Sequence, residues 1–196
     1  MDSRTKILET IKSNKPSLKT DVEVSSFLVD ANEREIVETF CANVLKNDGK
    51  FIVVNSESDL PGILKSEIED MSYVDFSGTI EETNGSVDPN KKKNRELAEV
   101  KILILSGILG VAENAAVWWE DETGSGMRIL PFIVQKTIFI VSRQSIVPTM
   151  HHAYKKLGHI QTGFGSFIAG PSKTGDIEQT LVTGAHGALS HLVLLV

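Results

Sequence analysis

The sequence predicts a single-domain α/β protein whose sheet is largely parallel and covered by helices on both faces. The length of 196 residues suits one domain with one substantial core. Short apolar runs rich in β-branched residues alternate along the chain with amphipathic helical patterns. Because strands that alternate with helices are usually joined by crossovers, most strands are expected to run parallel.

The N-terminal portion, residues 1–48, is predicted to be mainly helical. Apolar side chains recur at helical spacing in residues 2–13 and again in residues 32–45. Asn32 is suited to be the N-cap of the second of these helices. A weak extended pattern at residues 22–29 lies between them.

The middle of the chain alternates between strand and helix patterns. Strands are predicted at residues 51–54, 72–76, 101–105, 111–119 and 138–141. The run at 51–54 is apolar throughout, which is typical of a strand covered on both faces. A helix is predicted at 58–69, and antiparallel pairs are expected within the β-rich stretch 111–141. Residues 77–95 combine turn and charge signals without periodicity, which predicts a surface loop.

The last quarter of the chain repeats the alternation. A helix is predicted at residues 147–157, with Pro148 in its first turn. A strand at 164–169, a helix at 176–182 and a terminal strand at 191–196 follow. These elements complete the alternating pattern and place the last strand in the same parallel sheet.

Composition excludes several classes of function. The 20 basic and 26 acidic residues give a net charge of −6, which argues against a nucleic-acid-binding face. No apolar run approaches the length of a membrane span and no signal peptide is visible, so we expect a cytoplasmic protein without membrane contact. The single cysteine, Cys41, suits a reducing compartment and is interpreted as a small buried side chain. The five histidines lack metal-ligand spacing, so no metal site is predicted.

Two adjacent tryptophans bear on assembly. In a strand, Trp118 and Trp119 would point to opposite faces of the sheet. One is expected in the core, and the other is expected to line a pocket or a subunit interface, where aromatic side chains are enriched. The sequence therefore leaves an assembly of identical chains open.

The segment 170–187 carries the strongest chemical signals. It places hydroxyl and ammonium donors at a predicted helix start: Ser172, Lys173 and Thr174. Free amide groups at such a start favour an anion. In the alternative interpretation a hydroxyl caps the helix, and the carboxylates of Asp176 and Glu178 complement its dipole. Both interpretations stay open on physical grounds, and the two carboxylates disfavour a bare phosphate.

This segment also resembles a known family. Gly-Pro-Ser-Lys-Thr-Gly-Asp-Ile-Glu at residues 170–178, followed by Gly-Ala-His-Gly at 184–187, is similar to the end of the LUD-domain family, the lactate utilization proteins of the LutC type. The resemblance continues upstream, through Ala-Glu-Asn-Ala-Ala at 112–116 and Leu-Pro at 130–131, over about the last 90 residues. The family's usual Thr-Gly-Thr is replaced here by Asn114-Ala115-Ala116.

The resemblance implies a fold, a role and a site. The fold is that of the ribose-5-phosphate isomerase, glucosamine-6-phosphate deaminase and CoA-transferase group. The role is that of an accessory protein in the oxidation of L-lactate to pyruvate, beside iron–sulfur partner proteins. One cysteine cannot ligate a four-cysteine cluster, so no cofactor is expected on this chain and the clusters are expected on the partners. A small anionic ligand is expected at Asn114, Gly170, Ser172, Lys173, Thr174, Asp176, Glu178, Gly184 and Gly187.

Two residues are candidates for catalysis. His186 lies between glycines, where it could act as a general acid or base or simply bond to backbone. In CoA-transferases of the implied fold group, a Ser-Glu-Asn-Gly turn supplies a nucleophilic glutamate, and residues 112–115 are similar to it. The alternative function is therefore an acyl-CoA transferase-like or sugar-phosphate enzyme that uses Glu113. A non-catalytic interaction module is the third alternative.

Overall fold

A parallel sheet forms the centre of the computed structural model, which describes residues 2–15, 28, 32–81, 85–92, 95–121, 127–158, 163–175 and 182–196. The helices are α1 (Ser3–Ser13), α2 (Glu33–Lys46), α3 (Leu60–Ile68) and α4 (Met150–Leu157). The strands are β1 (Lys50–Val53), β2 (Tyr73–Asp75), β3 (Ile102–Gly107), β4 (Leu109–Val111), β5 (Ala116–Glu120), β6 (Lys136–Val141), β7 (Ile146–Val147), β8 (Gly165–Ile168), β9 (Lys173–Thr174), β10 (Val182–Thr183) and β11 (Ser190–Leu195).

The strands are distributed over a central sheet, a second sheet and a short ribbon. The central sheet has the order β1-β11-β6-β3-β2, and all its pairs are parallel, which confirms the predicted α/β fold. The second sheet has the order β7-β4-β5-β8, with antiparallel pairs on both sides of β5. Strands β9 and β10 form an antiparallel ribbon. The antiparallel pair β4–β5 confirms the expectation for the β-rich stretch.

The two faces of the central sheet bury different helices. Successive side chains of a strand point to opposite faces, so Leu103 and Ile104 of β3 enter different core clusters. The cluster that contains Leu103 includes Phe40 of α2 and part of the second sheet. The cluster that contains Ile104 includes Leu64 of α3. The expectation of helices on both faces is thereby confirmed.

The predicted strand at 111–119 and the predicted helix at 147–157 differ from the structure. The stretch 111–119 is a hairpin, because a tight turn at 112–115 separates β4 from β5 and Ala115 has a φ of 54°. The helix predicted from residue 147 begins at Met150, because residues 146–147 pair with β4 as strand β7. Residues 148 and 149 link that strand to the helix.

The first strand lies at the edge of the sheet. β1 pairs with β11 on one side, and its residues are half-buried or exposed. Phe51 packs against one core cluster and Ile52 against the other, so both faces of this edge strand are partly covered, as predicted. β6, by contrast, occupies a central position, as its apolar run predicted, and β11 lies beside it.

Both tryptophans belong to the core. Trp118 contacts Phe167, with ring centroids 4.5 Å apart, whereas Trp119 packs edge-to-face with Phe164 at 6.1 Å. The two rings lie in different core clusters, so their predicted opposite orientation is confirmed. Trp119 also lines a small cavity of about 140 Å³, so of the two expected places, a pocket or a subunit interface, the structure shows the pocket.

Some predicted elements lie wholly or partly outside the described residues. The strand at 22–29 is described only at residue 28, and residues 176–181 of the predicted helix 176–182 are not described. Val182 pairs with Thr174 in the ribbon, so that end of the prediction is a strand. In the loop at 77–95, residues 89–91 form a 3-10 turn, and Ile80 and Pro89 are buried. Every described helix is too short or too polar to cross a membrane.

Candidate functional site

The C-terminal motif folds around Ser172. The Ser172 amide donates to the Ala188 carbonyl at 2.8 Å, and the Gly184 amide donates to the Ser172 carbonyl at 2.8 Å. A Cβ at Gly187 would lie 2.9 Å from Ser172 Cβ, which is closer than side chains approach each other. The two backbone bonds and the bare Gly187 therefore hold the His186 loop against Ser172.

A cavity of about 210 Å³ lies beside this loop. Four of the predicted site residues line it: Gly170, Ser172, His186 and Gly187. Its walls also include Phe132, Phe167 and the buried Thr137. We call it the motif cavity. Sequence reasoning missed Thr137, although a hydroxyl at the head of the apolar run 138–141 was a visible signal.

Gly170, in the wall of this cavity, packs against Asn47 at the end of α2. Its φ is 77°, and a Cβ at this position would lie 2.6 Å from the Asn47 carbonyl oxygen. Three residues later in the motif, Lys173 directs its ammonium to Asp48 Oδ2 at 2.6 Å. Neither Lys173 nor Thr174 lines the motif cavity. The ammonium predicted to bind an anion is thus engaged with a carboxylate of the chain itself.

The other predicted ligand residues lie elsewhere. Gly184 lines a neighbouring open cavity of about 460 Å³, which shares Phe132, His186 and Gly187 with the motif cavity. Asp176 and Glu178 lie outside the described residues. The motif therefore contributes four predicted residues to the motif cavity, and Gly184 lines the open cavity beside it.

The turn that carries Glu113 and Asn114 is held by tertiary hydrogen bonds. Glu113 Oε1 accepts from the Met150 amide at 2.6 Å, at the first residue of α4. Asn43 Nδ2 donates to the Ala112 carbonyl at 2.7 Å, and Asn47 Nδ2 donates to the Asn114 carbonyl at 2.8 Å. The Glu113 carboxylate occupies the position of a helix-capping group, since it satisfies an amide of the first turn.

The Asn114 side chain is used within the same turn. Its Oδ1 accepts from the Ala116 amide at 3.0 Å. Neither Glu113 nor Asn114 lines the motif cavity. Asn47 connects the two regions, because its side chain bonds to Asn114 while its carbonyl faces Gly170. Asn47 therefore links the turn that carries Glu113 to the motif, but Glu113 itself lies outside the motif cavity.

Thr137, in the wall of the motif cavity, forms a buried polar pair with His191. His191 is 2% exposed, and its Nδ1 lies 2.9 Å from Thr137 Oγ1. Burial lowers the pKa of His191 from its ordinary 6.5 to about 4. Its Nε2 is buried and has no hydrogen-bond partner among the described residues. Sequence reasoning placed His191 at the start of the last strand and assigned it no function.

The described residues offer no metal centre. Within those ranges, no three or more His, Cys, Asp or Glu side chains converge as a metal site would require. Burial raises the pKa of the Cys41 thiol, which disfavours the reactive thiolate. The polar chemistry of the motif cavity is therefore that of hydroxyl and imidazole groups.

Comparison with known proteins gives consistent matches. The family model of the LUD domain matches residues 77–196. The chain is 28% identical to Lactate utilization protein C from a Geobacillus species, over 99% of this chain and 79% of that protein. It is 22% identical to Lactate utilization protein C from Oceanobacillus iheyensis, over 83% and 78% of the two chains.

A solved structure supports the fold. The crystal structure of a DUF162 family protein from Deinococcus radiodurans matches with a TM-score of 0.65 and 17% identity. The match covers 85% of this chain and 99% of that one. At this level of identity the likeness bears on the fold alone.

Proposed function

Because this chain belongs to the LUD domain family, we propose that it acts in lactate utilization as an accessory protein. In this role it binds a small anionic molecule in the motif cavity and works beside iron–sulfur partner proteins in the oxidation of L-lactate to pyruvate. Two relatives that it matches over most of their length are named Lactate utilization protein C, which supports the proposed role.

The observation that carries the ligand proposal is the convergence of Gly170, Ser172, His186 and Gly187 on one cavity. Drug-sized ligands fill about 300–1,000 Å³, so a cavity of about 210 Å³ suits a molecule of only a few heavy atoms. L-Lactate and pyruvate are of this size.

The chemistry of the walls suits a ligand with both a carboxylate and a further polar group. The Ser172 hydroxyl can both donate and accept a hydrogen bond, and the ring nitrogens of His186 add further polar groups to the wall. The ammonium of Lys173 is engaged by Asp48, so hydroxyl and imidazole groups would recognise the carboxylate. Phe132 and Phe167 form an apolar wall for the carbon skeleton.

Iron–sulfur partners follow from the redox demand of the proposed reaction. Oxidation of lactate to pyruvate releases two electrons, and the single cysteine of this chain cannot hold a four-cysteine cluster. The electron carriers would therefore belong to other proteins. If the tagged full-length chain is purified gently and anaerobically from its own cells, iron and acid-labile sulfide should co-purify with it. Recovery of the chain alone would contradict the partner proposal.

Ligand binding is tested by calorimetric titration of the full chain with L-lactate and with pyruvate. Ser172→Ala should weaken binding about tenfold or more, because hydrogen bonds to charged groups contribute roughly 1.5–3 kcal/mol. Ser66→Ala is the matched control, since the Ser66 hydroxyl bonds to the Ile63 carbonyl on α3 and does not line the motif cavity. Equal affinities in the two variants, or no binding to the unaltered chain, would refute the proposed ligand site.

The alternative of acyl transfer requires Glu113 as a free nucleophile. Its Oε1 instead accepts the Met150 amide at 2.6 Å, and the side chain lies outside the motif cavity. These contacts favour a capping role for Glu113 over a catalytic one.

A further inference from the structure

The Thr137–His191 pair contains one hydrogen more than the bond between its members uses. Burial lowers the pKa of His191 to about 4, so the imidazole is neutral at neutral pH and carries one N–H. The Thr137 hydroxyl carries one O–H. The contact of 2.9 Å between His191 Nδ1 and Thr137 Oγ1 takes up one of these two hydrogens. The direction of that bond decides where the other hydrogen points.

The first of the two directions leaves the spare hydrogen on His191. If the Thr137 hydroxyl donates to Nδ1, the ring proton is on Nε2. This nitrogen is buried and has no hydrogen-bond partner in the part of the chain that the structure describes. A buried N–H without an acceptor loses its hydration without compensation. This arrangement therefore places a donor where no described residue accepts from it.

The opposite direction leaves the spare hydrogen on Thr137. His191 then donates from Nδ1 to Thr137 Oγ1, and Nε2 keeps only a lone pair. Buried backbone N–H groups without an acceptor are rarer in proteins than carbonyls with an unused lone pair, and we expect the same order for ring nitrogens. The second direction is thus the less costly one for the ring, and it leaves the Thr137 hydroxyl able to donate.

Thr137 is the member of the pair that lines the motif cavity, whereas His191 does not line it. Alternate residues of a strand share a face, so the Thr137 side chain lies on the same side of β6 as Phe139 and Val141. Those two residues belong to the core cluster that includes part of the second sheet. Ile168 of β8 packs against this cluster and also lines the motif cavity. The cavity and the Thr137 side chain are therefore on the same face of the central sheet.

The ligand proposed for the motif cavity supplies an acceptor for the Thr137 hydroxyl. Among the described residues, His191 is the hydrogen-bond partner of this hydroxyl, and Thr137 is only 1% exposed. A carboxylate accepts hydrogen bonds strongly because it is charged. In the first arrangement a hydroxyl lone pair would face the carboxylate and repel it. A bound carboxylate therefore stabilises the arrangement in which Thr137 donates to the ligand.

We propose that Thr137 is a ligand-binding residue of the motif cavity, whose hydroxyl donates to a carboxylate oxygen, and that His191 is its positioning residue. His191 donates from Nδ1 to Thr137 Oγ1 and thereby directs the hydroxyl hydrogen away from the ring. Thr137 then contributes a donor from the central sheet, in addition to the Ser172 hydroxyl of the motif. This role rests on the function proposed above, since it requires a carboxylate in the same cavity.

The role of Thr137 is tested by calorimetric titration of the full-length chain with L-lactate. Thr137→Val should weaken binding about tenfold or more, as expected for a lost hydrogen bond to a charged group. Thr137→Ser keeps the hydroxyl and should bind with nearly the original affinity. The matched control is Thr149→Val, because the Thr149 hydroxyl also lies 2.9 Å from a histidine Nδ1, that of His152, but Thr149 does not line the motif cavity. Equal affinities of Thr137→Val and Thr149→Val, or an equal loss in Thr137→Ser and Thr137→Val, would overturn the proposal.

The role of His191 is tested by NMR of the unaltered chain saturated with L-lactate. The ¹⁵N resonances of the imidazole report which ring nitrogen carries the proton. We expect a protonated Nδ1 and a non-protonated Nε2. A proton on Nε2 overturns the proposal, because Thr137 would then donate to His191 and not to the ligand.

The outcomes separate the role of Thr137 from the ligand site proposed for the motif cavity. If Ser172→Ala weakens binding of L-lactate and Thr137→Val does not, the ligand site stands and the role of Thr137 alone is refuted. If the unaltered chain binds neither L-lactate nor pyruvate, the ligand site is refuted, and the role of Thr137 is refuted with it.

Discussion

Burial of His191 makes the stability of the folded protein depend on pH between about 4 and 6.5. Its pKa is lowered from 6.5 to about 4 because the cationic form would have to be desolvated in the core. In this range the unfolded chain binds a proton at His191 and the folded protein does not. The free energy of unfolding therefore falls as the pH falls from 6.5, and the loss is nearly complete at about pH 4.

The magnitude follows from the difference between the two pKa values. Each pKa unit corresponds to about 1.4 kcal/mol, so the full loss is about 3 kcal/mol. His191 is 2% exposed, so solvent screening reduces this figure little. A loss of this size is a large fraction of the roughly 5–15 kcal/mol by which domains are stable.

The assay is urea unfolding at several pH values between 7.5 and 4.5, with the double variant Thr137→Val/His191→Phe as control. The double variant replaces both members of the Thr137–His191 pair by apolar side chains of similar shape, which is often close to neutral for stability. Titration of the carboxylates is common to both proteins and cancels in the difference. The unaltered chain should lose about 2–3 kcal/mol more than the variant over this range. Parallel curves would refute the account of His191 as a buried neutral histidine.

Two further predictions concern the turns around the motif. Gly170→Ala should lower the free energy of unfolding by about 1–3 kcal/mol, because φ is 77° and the new Cβ would lie 2.6 Å from the Asn47 carbonyl. Gly62→Ala is the control, because Gly62 lies in α3 and an added Cβ would meet no other atom within 4 Å. This variant should be neutral or more stable than the unaltered chain. Equal effects of the two substitutions in urea unfolding would contradict this reasoning. Glu113→Gln should cost at most about 1 kcal/mol because an amide oxygen can still accept from Met150, whereas Glu113→Ala should cost about 1–2 kcal/mol. Indistinguishable unfolding midpoints for these two variants would contradict the capping role.

The strands of the central sheet could be predicted because their signal is local. The run at 138–141 is apolar at every position, and a strand with such a run is stable only when both of its faces are covered. The helix that starts after Asn32 was predictable for the same reason, since its cap lies next to it in sequence and accepts from the Arg34 amide. The family resemblance located the motif, and Ser172 and His186 do line one cavity.

The turn at 112–115 could not be predicted, because its geometry depends on distant parts of the chain. Ala115 has a φ of 54°, which an L-residue adopts only when its surroundings stabilise it. The side-chain amides of Asn43, in α2, and of Asn47, at its C-terminal end, donate to carbonyls of this turn. No pattern within residues 111–119 contains that information.

The partners of charged and polar side chains were likewise decided by the tertiary structure. Sequence alone determined the α/β class, most strand positions and the motif that identifies the family. It left Lys173 as a candidate for ligand binding, whereas the fold brings Asp48 to within 2.6 Å of its ammonium. It left His191 without a role, whereas the parallel register of β11 and β6 sets it opposite Thr137 and buries it. Periodicity records which face of an element is buried, but hydrogen-bond and ion pairs form between elements, so only their packing determines them.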